Sequence, residues 1–201
     1  MRSKDRRTIA LLVIMLLSFT ATGCLPPPKP PPAYYTLDTG PASELTGLEH
    51  GMAIGIGPLW LAHHLKRLQI VTRESNTQLR LSESHQWAEP LQDAIYNIIA
   101  IKIASELNTN RIYEFPLRRK RPLDYRVAID VLRLDGRIGG EVECVARWII
   151  SSGDGKKELV SRISRIVKST QGEDYDAFIQ AESRAVAALG KEIADAIKSK
   201  M

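Results

Sequence analysis

"DYRVAIDVLRLDG" (124–136), "GEVECVARWIISS" (140–152) and "KELVSRISRIVKS" (157–169) follow one another with only short links between them. Tyr125, Val127, Ile129 and Val131 alternate with polar or small residues, the period-two pattern of a strand with one buried face. At Leu132 and Leu134 the apolar set changes phase. One extra residue flips every later side chain to the other face, so the switch predicts a bulge. In the second segment Val142, Cys144, Ala146 and Trp148 share one face, and Gly153-Asp154-Gly155 supplies a turn before the third. A parallel crossover needs about a dozen residues or more, so strands linked this closely predict an antiparallel meander.

Helical spacing brackets these strands. Downstream, Tyr175, Phe178, Ile179, Val186, Leu189, Ile193 and Ile197 mark one stripe of a long amphipathic helix. Upstream, Leu91, Ala94, Ile95, Ile98, Ile99, Ile103 and Leu107 do the same, with Pro90 suited to the first turn. Glu89 and Asp93 favour the positive helix start, and the helix is expected to stop near Asn108 to Asn110. Tyr96, Ala100 and Ile101 widen this helix's apolar arc beyond one face, which fits either a self-associating surface or a bulkier local core. Earlier still, "LQIVTRE" from Leu68 and "TQLRLSE" from Thr77 form a hairpin turning at Ser75-Asn76. "MAIGIGPL" reads as a buried strand ended by Pro58, and Tyr34 to Leu37 as a short strand. The sum is α+β: an antiparallel-dominated sheet with two main helices packed on one face.

The first 33 residues are of another kind. Arg2, Lys4, Arg6 and Arg7 precede an apolar run from Ile9 to Phe19, shorter than the roughly 20 residues of a spanning helix. That is the layout of a secretory signal. Ala21-Thr22-Gly23-Cys24 resembles the bacterial lipobox, in which the cysteine is acylated and begins the mature chain; Ala21 stands where Leu is usual. Leu25 to Ala33 is proline-rich and predicts an extended spacer, reaching about 28 Å at roughly 3.1 Å per residue. Leu25, rather than Asp, after the cysteine resembles the sorting pattern for export to the outer membrane. The expected organisation is a signal over 1–23, lipidated Cys24 and linker over 24–33, and one domain over 34–201.

Composition argues against several functions. Residues 1–23 hold four basic residues and one acid, so the remainder carries 24 basic against 22 acidic residues and makes no case for nucleic acid. The dense run Arg118-Arg119-Lys120-Arg121 reads either as a solvated loop between Pro116 and Pro122 or as a phosphate-binding patch. With Cys24 acylated, Cys144 is left without a disulfide partner and reads as a small buried hydrophobe. His63 and His64, adjacent in a strand, would point to opposite sides, and neither His50 nor His85 completes a metal-ligand spacing. Pro58 excludes a phosphate loop at Gly55-x-Gly57, and Ser161 and Ser164 lie mid-strand with no base. No catalytic set, metal or cofactor site emerges.

"YYTL", "IGIGPLWLAHHLKRLQIVTR", "SHQWAEPL", "DYRVAIDVLRLDGRIGGEVECVARW" and "YDAFIQAESRAVAALGKEIADAI" occur in that order. Together they resemble the PqiC family, auxiliary lipoproteins of ABC-type and MCE-type envelope lipid transport systems. Lys66, Leu68 and Gln86 stand where that family tends to have an acid, a proline and an arginine. The resemblance implies a non-catalytic subunit, lipid-anchored at the periplasmic face of the outer membrane, that supports membrane integrity. It also implies a homo-oligomeric ring meeting the end of an MCE-domain tunnel protein. Arg73, Trp87 and Glu89, in or near the family's signature segments, are expected to fix the hairpin-to-helix joint, with Glu89 pairing Arg73; direct lipid contact is the other reading. Trp148 joins them as a structural signature. A monomeric envelope lipoprotein that binds a small ligand or a cell-wall component is the alternative function.

Overall fold

The computed structural model describes residues 30–41 and 51–200, so Cys24, the signal segment and His50 lie outside the described residues. In chain order the elements are β1 (Ala33–Tyr35), β2 (Ile54–Leu61), β3 (Gln69–Arg73), β4 (Leu79–Trp87), α1 (Leu91–Leu107), β5 (Ile112–Glu114), β6 (Tyr125–Gly136), β7 (Glu141–Ser152), β8 (Glu158–Ser169) and α2 (Tyr175–Lys198). The class is α+β, with the strands in two mixed sheets that are mostly antiparallel.

The larger sheet has the order β5-β2-β6-β7-β8, and the meander β6-β7-β8 is antiparallel throughout. The bulge is present: Val131 pairs with Ala146 and Arg133 with Val145, leaving Leu132 as the extra residue. Leu132 itself points outward, and only Leu134 rejoins the buried face opposite Cys144. Val127, Ile129, Val131, Val142, Ala146 and Trp148 are all buried, as alternation predicts. At full burial each of the larger apolar side chains is worth about 1.5–3 kcal/mol, so this face is the main source of cohesion.

Pro58 does not end β2. The strand continues to Leu61 through a register shift between Ile56 and Leu59, where the ladder is already interrupted and the missing N–H costs little. β2 runs parallel to both β6 and β5, the latter a short strand that the alternating pattern is too brief to reveal. The expected hairpin, β3 with β4, forms a separate three-stranded sheet with β1 parallel to the end of β4. His63 and His64 sit in a 3-10 turn, not in a strand.

The helices pack on one another and on the large sheet. Gly190 in α2 marks their close approach: a Cβ there would stand 3.1 Å from Lys102 Cβ and 3.3 Å from Ile99 Cα. Asp174 caps α2 by accepting from the Ala177 N–H at 2.8 Å. Pro90 falls one residue earlier than expected, at the N-cap of α1, and Asn108 closes that helix in the left-handed region at φ 48°. Of the residues that widen the arc of α1, Tyr96 and Ala100 pack against the chain's own core, whereas Ile101 stays half-buried outside it.

Candidate functional site

Polar groups are concentrated where the small sheet meets the large one. Beyond the bulge, Asp135 pairs in register with Glu143, on the face turned away from Cys144, where alternation predicts an exposed charge. It is nevertheless fully buried, because Arg73 of β3 lies over it. Arg73 Nε donates to Asp135 Oδ1 at 2.6 Å and Nη2 to Oδ2 at 2.8 Å, a bidentate pair. The same guanidinium donates to the Asn76 carbonyl at 3.0 Å and so ties down the hairpin turn. Arg133 Nε adds a third bond to Asp135 at 2.8 Å, and Arg133 and Arg165 both grip Glu143.

The charges respond to these contacts. Burial pushes the Asp135 carboxyl up, but hydrogen bonds from Arg73 and Arg133 outweigh it and hold the group below the usual aspartate range. Arg73 is raised, first by its bond to Asp135. Glu182 of α2, 1% exposed, is pushed well above the ordinary glutamate range by burial and then by the charge of Asp135, and its Oε2 has no hydrogen-bond partner. Cys144 is driven up to about 12 by burial, then by Glu182 and Glu143. His64 Nε2 lies 3.7 Å from Asp135 Oδ2, too far for a hydrogen bond.

Two carboxyl groups pushed in opposite directions are what acid–base chemistry uses. Here both are enclosed, and each arginine that reaches Asp135 or Glu143 is held in an ion pair, so the cluster acts as a clamp between the sheets. Among the described residues no group of His, Cys, Asp or Glu is arranged to hold a metal ion.

The residues singled out from the sequence do not form one site. Trp87 is buried at the end of β4, its N–H donating to the Leu68 carbonyl at 2.7 Å. Glu89 does not pair with Arg73; it accepts from Thr36 Oγ1 beyond β1 instead. Arg73 stands at the far end of the hairpin, in register with Leu79, which puts it beside β6 and Asp135. Trp148 lies in the core and donates from Nε1 to Ser164 Oγ at 2.8 Å. The basic run 118–121 is exposed. Asp135, Arg133, Glu143 and Glu182 were missed, because only the phase switch at Leu132 hinted at unusual geometry and nothing in the local pattern places a second sheet over it.

Fold and clamp together define a small α+β domain whose buried polar residues serve its architecture. The chain belongs to the family of ABC-type transport auxiliary lipoprotein components, the PqiC-type family, whose model matches residues 35–194. The fold is similar to that of an uncharacterized protein of known crystal structure, at 17% identity and a TM-score of 0.67, over 84% of this chain and 99% of that one. It is also similar to a Xanthomonas campestris protein assigned to the DUF330 family, at 15% identity and a TM-score of 0.62, over 85% and 98% of the two chains. No functionally curated protein matches the chain.

Proposed function

We propose that the protein is a non-catalytic outer-membrane lipoprotein subunit of an MCE/ABC-type envelope lipid transport system. It is acylated at Cys24 after removal of residues 1–23, and the linker over 24–33 holds the domain over 34–201 off the membrane. The domain docks at the periplasmic end of an MCE-domain tunnel protein, as a homo-oligomeric ring, and in doing so supports membrane integrity. The observation that carries this reading is the match of residues 35–194 to a transport auxiliary lipoprotein family, directly downstream of a lipobox-like cysteine and a proline-rich spacer.

The test is a native mass of the full-length protein extracted in mild detergent, together with identification of whatever co-purifies with it. An acylated ring carrying an MCE-domain protein is the expected result. An acylated monomer without such a partner would put a ligand-binding envelope lipoprotein in its place, and an unmodified Cys24 would remove the anchor.

A further inference from the structure

Between β5 and β6 the chain loops out through the basic run and returns beside the Gly153-Asp154-Gly155 turn. The loop borders an open cavity of about 740 Å³ at the surface. Phe115, Pro116, Leu117 and Leu123 make up its apolar wall, and Lys120, Arg121 and Arg126 stand along it. Pockets of about 300–1,000 Å³, mostly apolar with a few converging polar groups, are the usual form of a small-molecule site.

The cations are positioned but uncompensated. Arg126, on β6, lies with its guanidinium carbon 4.7 Å from the centroid of the Phe115 ring, and its buried Nε has no hydrogen-bond partner. The Gly153–Gly155 turn presses on it from behind, since a Cβ at Gly155 would stand 2.7 Å from Arg126 Nη1. Arg121 lies over the Tyr113 ring, 4.1 Å from its centroid. Among the described residues, none of Lys120, Arg121 and Arg126 is in an ion pair. The carboxylate that lines the cavity, Asp154, is already used: it accepts from Ser152 Oγ at 2.6 Å and from the Lys156 N–H at 3.0 Å, and Lys156 Nζ lies 3.8 Å away. Arg118 and Arg119, both exposed in the same loop, add to the positive field.

We propose that this cavity binds an anionic phospholipid, with the phosphate against Lys120, Arg121 and Arg126 and the first acyl methylenes along Phe115, Pro116, Leu117 and Leu123. A free phosphate would satisfy the cations and leave the apolar wall wet. A zwitterionic lipid would cover the wall and leave most of the positive charge unmatched. Only an amphiphile with net negative charge meets both. The site stands on this cavity and does not depend on docking to a tunnel.

The experiment adds dioleoyl phosphatidylglycerol, dioleoyl phosphatidylcholine or glycerol 3-phosphate to the full-length protein in non-ionic detergent and counts retained adducts by native mass spectrometry. Phosphatidylglycerol is expected to be retained at least tenfold better than either of the others. Lys120→Glu and Arg126→Gln are each expected to lower that retention fivefold or more, with melting unchanged for Lys120→Glu, whose side chain is exposed. Equal retention of phosphatidylcholine would overturn the proposal, as would glycerol 3-phosphate binding as well as phosphatidylglycerol, which marks a simple anion site. Wild-type retention by Lys120→Glu would overturn it too, even if Arg126→Gln failed to fold. A chain that captures no tunnel protein but keeps its preference for phosphatidylglycerol would leave this inference standing while the docking reading fell.

Discussion

Arg73, the last residue of β3, holds Asp135, near the end of β6, through two parallel hydrogen bonds of 2.6 and 2.8 Å. The two residues belong to different sheets, so this pair is a cross-link between them. Its geometry depends on the bulge at Leu132, which sets the face on which Asp135 emerges. Asp135 is fully buried and Arg73 partly so, and removing the arginine therefore leaves an uncompensated charge in a poorly solvated place.

Removing one partner of such a pair costs about 3–5 kcal/mol, and Asp135→Ala is expected to fall in that range. Arg73→Lys keeps the charge but loses the fork, so about 1.5–3 kcal/mol, the worth of one charged hydrogen bond, is expected. Chemical denaturation of the two variants against the full-length chain measures both. An Asp135→Ala midpoint equal to that of the wild type would mean that the sheets are held by apolar contacts alone.

Glu182 gives a pH signature of opposite sign to that of Asp135. An unfolded glutamate titrates at about 4.3, and the folded carboxyl titrates well above that. Between those limits the folded state keeps a proton that the unfolded state has released, so stability falls as pH rises, by at most about 1.4 kcal/mol per unit. Asp135, depressed in the fold, contributes stability that is present above about pH 4 and is lost as pH falls through its lower folded value. The windows are thus separate. Glu182→Gln is expected to melt higher than the wild type, by a margin that widens from pH 5 to pH 8. Parallel melting curves across that range would show that Glu182 ionises at its ordinary value.

The meander was legible because β6 and β7 follow a strict period of two, and even the bulge shows as a phase switch at Leu132. α2 was legible for the same reason at period 3.6. What the pattern could not carry was partnership at a distance. Nothing local to "QIVTR" says that Arg73 will find Asp135 some sixty positions later rather than Glu89 close by, because the choice depends on how two sheets dock. β5 is three residues long and has no period to read. Pro58 misled because a proline ends a regular strand, whereas β2 is irregular at that point and tolerates it. Burial of Glu182 was hidden in the same way: its stripe on α2 was marked by apolar residues, and the carboxyl shares their face.

Cys144 is expected to be silent toward alkylating reagents in the native protein. Its thiol is buried and held at about 12, so the reactive thiolate is scarce at pH 8. With Cys24 acylated, native protein should take up no label, and protein unfolded in denaturant should take up one equivalent, at Cys144. One equivalent taken up without denaturant would place a free thiol at Cys24 or show that the core opens readily around β7, and peptide mapping separates the two.

Trp87 tests whether the hairpin-to-helix joint acts through stability or through contact. The side chain is 3% exposed, and around it the backbone is pinned twice: its own N–H donates to the Leu68 carbonyl, and the next, that of Ala88, to the Tyr35 carbonyl, each at 2.7 Å. Those bonds tie β1 and the segment before β3 to the start of α1, so a void at Trp87 loosens three elements at once. Replacing a buried tryptophan by alanine costs about 3–5 kcal/mol, and Trp87→Ala is expected to lose that much together with self-association and partner capture. Because the side chain is buried, both losses should recover together when Phe replaces Ala and refills most of the volume. If Trp87→Ala instead melted like the wild type and still failed to assemble, the indole would have to reach the partner itself, and its burial within the chain would not describe the assembled state.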